Sequence, residues 1–282
     1  MSDQMSTHSF TAEPAAAPDP AMAAVPAVSF RGLSVSFEQA DRTSHQVLRH
    51  LDLDVPRGQF IALVGRSGGG KTTILNVLAG LITPAAGTVS VLGRTPAEAR
   101  TSIGFVPARD ALLPWRSALR NVEYGMEARG VDRHERRRRA RHYLDLVGLE
   151  HAADRWPWQL SQGMRQRVAL VRAWAVQPEL LLMDEPFAAL DADTRQSVRL
   201  KFRELLARDP SVSVIFVTHD LDEAVLLADR VIVLSGGEFI ADSMVPPRDG
   251  HDGTSDELTG AHLALLRDLR NALRHGRDDG RI

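Results

Sequence analysis

The sequence predicts an α/β protein built on a mixed sheet, and three observations carry that reading. From Phe60 onward, short apolar runs alternate with helical stretches, the pattern of parallel strands covered on both faces. Ahead of them, VSFRGLSVSF and LRHLDLDV alternate apolar and polar residues, as strands of an N-terminal antiparallel β-subdomain do. Between about 108 and 166 the strand signals stop and the periodicity turns helical, which predicts an inserted helical subdomain. The expected organisation is a disordered Ala/Pro-rich tail over 1–27, one domain over 28–245, and a linker with a C-terminal helix over 246–282.

The strongest local signal is FIALVGRSGGGKTT. Phe60 to Val64 reads as a buried strand; Gly65, Arg66, Ser67, Gly68, Gly69, Gly70, Lys71, Thr72 and Thr73 follow, matching G-x-x-x-x-G-K-[ST]. Glycines let the backbone fold around a phosphate with its N–H groups inward, and the helix starting near Lys71 adds its positive end. Lys71 supplies charge for the outer phosphates, and the Thr72 hydroxyl is a ligand for Mg²⁺. Strand before and apolar helix after (Ile74 to Leu81) make this a P-loop NTPase signature rather than a chance Gly-rich turn. Only Lys71 and Lys201 are lysines among the 34 basic residues, so an arginine-rich chain keeps a point charge here.

The remaining elements follow in order. Pro56-Arg57-Gly58 turns the chain into the loop strand; TVSVLG and residues 103 to 106 are further strands. Helices are expected over 117–129, 133–147 and from Ser161, then over 194–208, 221–229 and 258–273. LLLMDE and SVIFVTHD are buried strands ending in polar residues, and RVIVLSGGEFIA is strand, turn and strand. RHERRRRARH carries interleaved acids and an apolar stripe, and so reads as the solvated face of an amphipathic helix rather than a nucleic-acid surface.

Composition excludes several classes. With no cysteine there are no disulfides, Cys-zinc sites or thiol catalysis. A net charge of −2 gives no bulk attraction to nucleic acid. No apolar run approaches a membrane span, and the N-terminal stretch lacks the features of a signal peptide, so any membrane role is expected to come through a partner.

In an α/β sheet, ligands bind at the carboxyl ends of strands, where Gly65, Asp184 and His219 fall. Asp184 can hold the Mg²⁺ that Thr72 touches; Glu185 can polarise the water attacking a γ-phosphate; His219 is a polar sensor or a structural histidine. Ser161 can cap a helix and leave the N–H groups of Gln162 and Gly163 free for an anion.

Taken together, GRSGGGKT, the segment around Ala108, LSQGM, LLLMDE, AALD and VTHD resemble, in order, the phosphate loop, glutamine loop, signature, Asp-Glu strand, D-loop and switch histidine of ABC transporter ATPases. The resemblance spans about 28 to 245. It implies ATP and Mg²⁺ as ligands and a head-to-tail dimer with a second copy of the chain. Each ATP would lie between one phosphate loop and the partner's signature (Ser161, Gln162, Gly163), with Asp191 in the D-loop. Phe37 matches the aromatic that stacks on adenine, or is a strand core residue. ALLPWRSALRNV and LSQGMRQRVAL are similar to the nitrate/sulfonate/taurine-type importers. In these the LLPW stretch faces the permease; packing of Leu113, Pro114 and Trp115 in a core is the plainer reading. The implied function is ATP hydrolysis coupled to transport of a small anion. The chain would sit at the cytoplasmic face of the membrane on permease subunits, serving an extracytoplasmic solute-binding protein indirectly, with no nucleic-acid partner.

Two departures stand out. Ala108 occupies the glutamine position, and a methyl group can neither ligate Mg²⁺ nor sense a permease. That opens an alternative: a nucleotide-binding regulatory or weakly hydrolysing ABC subunit. Gln162 stands where a signature glycine is usual, tolerable at negative φ.

Overall fold

The computed structural model describes residues 25–38, 43–247 and 258–275. Two sheets form its frame. β1 (Val28–Glu38), β2 (Ser44–Val55) and β4 (Ala86–Val91) make an antiparallel sheet in the order β2-β1-β4. The larger sheet runs β5 (Ile103–Val106), β6 (Leu180–Asp184), β7 (Ser213–Thr218), β3 (Phe60–Gly65), β8 (Arg230–Ser235), β9 (Glu238–Met244). Its first five strands are parallel and β9 is antiparallel to β8, so the predicted mixed α/β class is the observed one.

The apolar runs are explained by burial on both sheet faces. Phe60, Ala62 and Val64 point to one core, with Leu181, Met183, Val214, Phe216, Val231 and Val233. Ile61 and Leu63 point to the other, with Leu180, Leu182, Ile215, Val217, Ile232 and Leu234. This period-2 division leaves no strand face for solvent, so no polar residue interrupts the runs. α1 (Lys71–Leu78) and the antiparallel sheet close the second core. The first is closed by α2 (Ala118–Ala128), α3 (Arg133–Leu146), α4 (Gln162–Trp174), α5 (Ala192–Arg208), α6 (Leu221–Leu227) and α7 (Gly260–His275).

Five helices start where a side-chain oxygen takes up a free N–H. Ser117, Asp132, Ser161, Asp191 and Asp220 cap α2, α3, α4, α5 and α6. α3 carries the arginine run: Ala140, Tyr143 and Leu144 are buried, while Arg138 and Arg139 donate to Glu135 within the helix.

The structure adjusts two expectations. Ala27, assigned above to the tail, is fully buried; its N–H donates to Val55 and its carbonyl accepts from Leu92, so the folded region starts before Val28. Most of the tail (1–24) and most of the linker (248–257) lie outside the described residues. α7 runs two residues later than expected, because Thr259 and His262 pair at its start. TVSVLG, expected as a strand, joins the antiparallel sheet through β1.

An aromatic cluster locks α4 and α5 to the sheet. The Phe202 ring, 2% exposed, meets Phe60 at 6.1 Å, Trp174 at 5.3 Å and Phe187 at 6.2 Å, all edge-on. Edge-to-face pairs add to area burial. Phe202→Ala is expected to cost about 3–5 kcal/mol, read as a lower urea midpoint at unchanged slope; a loss under ~1 kcal/mol would contradict this packing role.

Candidate nucleotide site

Parallel register assembles the site. β7 lies between β6 and β3, with Asp184 opposite Val217 and Val64 opposite Thr218. The carboxyl ends of these neighbouring strands therefore bring Gly65, Asp184, Glu185 and His219 to one edge.

The phosphate loop connects β3 to α1. Gly70 is the N-cap of α1 at φ 96°, and a Cβ there would lie 2.6 Å from Leu48 Cδ2, so only glycine fits. Gly68 also has positive φ (79°), but a Cβ on it would meet nothing within 4 Å: the space beside the loop is open. α1 has no side-chain cap and no acid in its first turn. Among the described residues no acceptor takes the N–H groups of Lys71, Thr72 or Thr73. An uncapped helix start facing open space can take an anion. Lys71 Nζ donates to the carbonyls of Gly65 and Arg66, both at 2.8 Å, and keeps one N–H. Burial pushes its pKa down, while Glu185 and Asp184 oppose the shift.

Thr72 Oγ1 donates to Asp184 Oδ2 at 2.9 Å, so helix and neighbouring strand meet through a hydroxyl and a carboxylate. Burial raises the pKa of Asp184, and the Thr72 bond works against the rise. These are hard oxygen ligands of the kind Mg²⁺ takes. Among the described residues no group of three or more His, Cys, Asp or Glu could hold a metal by itself, so a cation here would complete its shell from phosphate and water.

Glu185 leaves β6 in the left-handed region (φ 47°), a conformation costly for a residue with a side chain. Its N–H donates to Val217 at 2.9 Å, which holds it there. Its Oε1 lies 3.3 Å from His219 Nδ1, and both side chains are partly open to solvent. Behind His219, Thr218 Oγ1 donates to Glu223 Oε2 at 2.6 Å and accepts from the Asp220 N–H at 3.1 Å. Glu223 is buried, and burial raises its pKa. In the sequence Glu223 is one residue of the helix expected over 221–229; its signal is a carboxylate on the buried side of α6, four residues after His219.

The remaining candidates lie apart from this edge. Ser161 caps α4, its Oγ accepting from the Met164 N–H at 3.2 Å. Ser161 and Gln162 are exposed, and Gln162 is in the first helical turn with no positive φ. Gly163 packs under the D-loop: a Cβ there would sit 3.3 Å from Ala189 O. No hydrogen bond or ion pair among the described residues joins 161–163 to the phosphate loop. Asp191 caps α5 through the Thr194 N–H, which holds its carboxyl below the usual range. Phe37 is 42% exposed and belongs to neither core, so the strand-core reading fails. It lies two residues beyond Val35, whose partner Leu48 touches the place of Gly70. Trp115 is 67% exposed, against the packing reading of that side chain; Leu112 is the buried member of the stretch. Ala108 is exposed.

Fold and site define a P-loop NTPase. A family model for the ABC transporter matches residues 48–188. The chain is 45% identical over 253 residues to the "Aliphatic sulfonates import ATP-binding protein SsuB" of Mycobacterium sp. (strain MCS), covering 89% of this chain and 97% of that protein. It is 41% identical over 208 residues to the "Taurine import ATP-binding protein TauB" of Yersinia pestis bv. Antiqua (strain Antiqua), covering 73% and 80%. A solved structure described as "Dimeric structure of a post-hydrolysis state of the ATP-binding cassette MJ0796 bound to ADP and Pi" superposes with a TM-score of 0.72 at 30% identity, over 78% of this chain and all of that one. The chain belongs to the ABC transporter family of ATP-binding subunits and is an ATPase of that family. Among the described residues no helix is long and apolar enough to cross a membrane.

A pH test isolates the buried carboxylate. Asp184 has a folded pKa above its unfolded one, so the fold favours its protonated form and loses that stability as pH rises through the raised value. Asp184→Asn keeps an acceptor for Thr72 without the charge. It is expected to raise the melting temperature of the nucleotide-free chain at pH 8 by about 1–4 °C. The gain should shrink as the pH is lowered; a variant less stable than wild type at pH 8 would contradict the assignment.

Proposed function

We propose that this chain is the ATP-hydrolysing subunit of an importer for a small sulfonate-, taurine- or nitrate-like anion. The observation that supports it best is the pairing of Glu185 with His219 beside the Thr72–Asp184 bond, at the mouth of the phosphate loop. The loop amides and Lys71 would bind the phosphates, and Phe37 would stack on the base. Thr72 and Asp184 would hold Mg²⁺, which when bound neutralises phosphate charge. Glu185, held by its strained backbone, takes a proton from the attacking water. The bond from the γ-phosphorus to the bridging oxygen breaks, leaving ADP and phosphate. His219 orients Glu185 and contacts the γ-phosphate edge; Glu223 and Thr218 fix the turn that carries it.

One chain supplies half of this site. The start of α4 is exposed at Ser161 and Gln162, and the N–H groups of Gln162 and Gly163 have no acceptor among the described residues, which supports a head-to-tail dimer with Ser161, Gln162 and Gly163 acting on the partner's nucleotide. Asp191, at the start of α5, lies beside that junction. The chain would work at the cytoplasmic face of the membrane, bound to permease subunits, with an extracytoplasmic binding protein delivering the solute. No observation favours the regulatory, weakly hydrolysing alternative: Ala108 is the departure that raised it, and Lys71, Thr72, Asp184, Glu185 and His219 are brought together without it.

Glu185→Gln removes the base and keeps the shape. Steady-state ATPase turnover is expected to fall by about 10²–10⁴-fold, with ATP affinity within a few-fold of wild type by equilibrium binding. Unchanged turnover would sink the assignment.

A further inference from the structure

The segment from Ala108 to Trp115 leaves β5, the strand beside β6, without regular structure. Among the described residues none of its hydrogen bonds goes to the phosphate loop or to the ends of β6 and β7. They go instead to α2 and α4. Asn121 Oδ1 accepts from the Leu113 N–H at 2.8 Å, and its Nδ2 returns a bond to the Leu113 carbonyl at 3.2 Å. Arg172 donates to the carbonyls of Ala111 at 2.9 Å and Asp110 at 3.2 Å. Ala111 sits at φ 43°, an unfavourable backbone state that this contact helps to hold. Arg165 Nε donates to Asp110 Oδ2 at 2.8 Å, while its Nη1 donates to the Leu160 carbonyl at 2.9 Å.

That last guanidinium is placed distinctively. It ties the carboxylate of the loop to the backbone one residue before Ser161, whose side chain starts α4. A planar, rigid donor set fixes both ends at once. The loop also carries Trp115, the exposed aromatic at its far end.

We propose that Asp110 and Arg165 are positioning residues. They set the Ser161–Gly163 start of α4 at the angle needed to complete the partner's ATP site, and make the loop ending at Trp115 a lever on it. In this chain the lever acts through a salt bridge to the signature helix, and Ala108 needs no polar side chain. The inference rests on the function proposed above, because Ser161 matters here only if it acts on ATP.

The test uses the purified full-length chain with ATP and Mg²⁺. Asp110→Ala is expected to lower kcat about tenfold, within the ~10²-fold that an ångström of misplacement can cost. ADP affinity, which reads the phosphate loop alone, should stay within twofold, and the melting temperature should hold. Asp110→Glu, which keeps the charge, should recover most of kcat. An Ala variant within twofold of wild type in kcat would overturn the proposal. So would equal losses in the Ala and Glu variants, or an ADP affinity that falls in step with kcat. Wild type and Glu185→Gln, run alongside, report on the ATPase reading by themselves, so its failure is visible separately.

Discussion

The parallel register of β6, β7 and β3 is the constraint on which the rest depends. Sliding one strand by a residue would swap its inward and outward faces, mixing two separate cores. The cores therefore fix the register, and the register fixes where each strand ends. Gly65, Asp184 and the turn after Thr218 meet at one edge because Ala62, Met183 and Phe216 must face one core while Leu63, Leu182 and Val217 face the other. Apolar packing decides the geometry of a polar site.

The edge so created gathers groups that are costly by local rules. Lys71 and Asp184 are both nearly buried, and burial pushes each towards its neutral form. Glu185 holds a left-handed backbone. α1 begins without a cap where α2, α3, α4, α5 and α6 have one. Under the function proposed above, a charged phosphate with its cation would offset the burial of Lys71 and Asp184 and take the free N–H groups of α1. Sites that depart from otherwise consistent local rules mark function.

Much of this was legible in the sequence because it is written in local patterns. Fully apolar runs gave the strands, and the glycine spacing before Lys71 gave the loop. Asp184 and Glu185 were readable because they end such a run. The rest depends on contacts that no local pattern records. Ala27 reads as tail composition but bonds to Val55 and Leu92 across the fold. Asp110 and Arg165 are 55 positions apart and look like two surface charges until α4 brings them to 2.8 Å. Phe37 alternates as a core residue would, yet lies exposed near the end of its strand. Glu223 shows only as an acid on an amphipathic helix until the turn after β7 folds over it.

The central claim is that each chain holds half of a nucleotide site and that a second copy completes it. The most direct measurement is the sedimentation equilibrium of the Glu185→Gln chain with and without ATP. The account predicts a species of twice the 30.9 kDa chain mass with ATP, a monomer without it, and a monomer in both conditions once Ser161→Arg is added. A chain that stays monomeric with ATP bound, or a Ser161→Arg variant that still dimerises as readily, would contradict it.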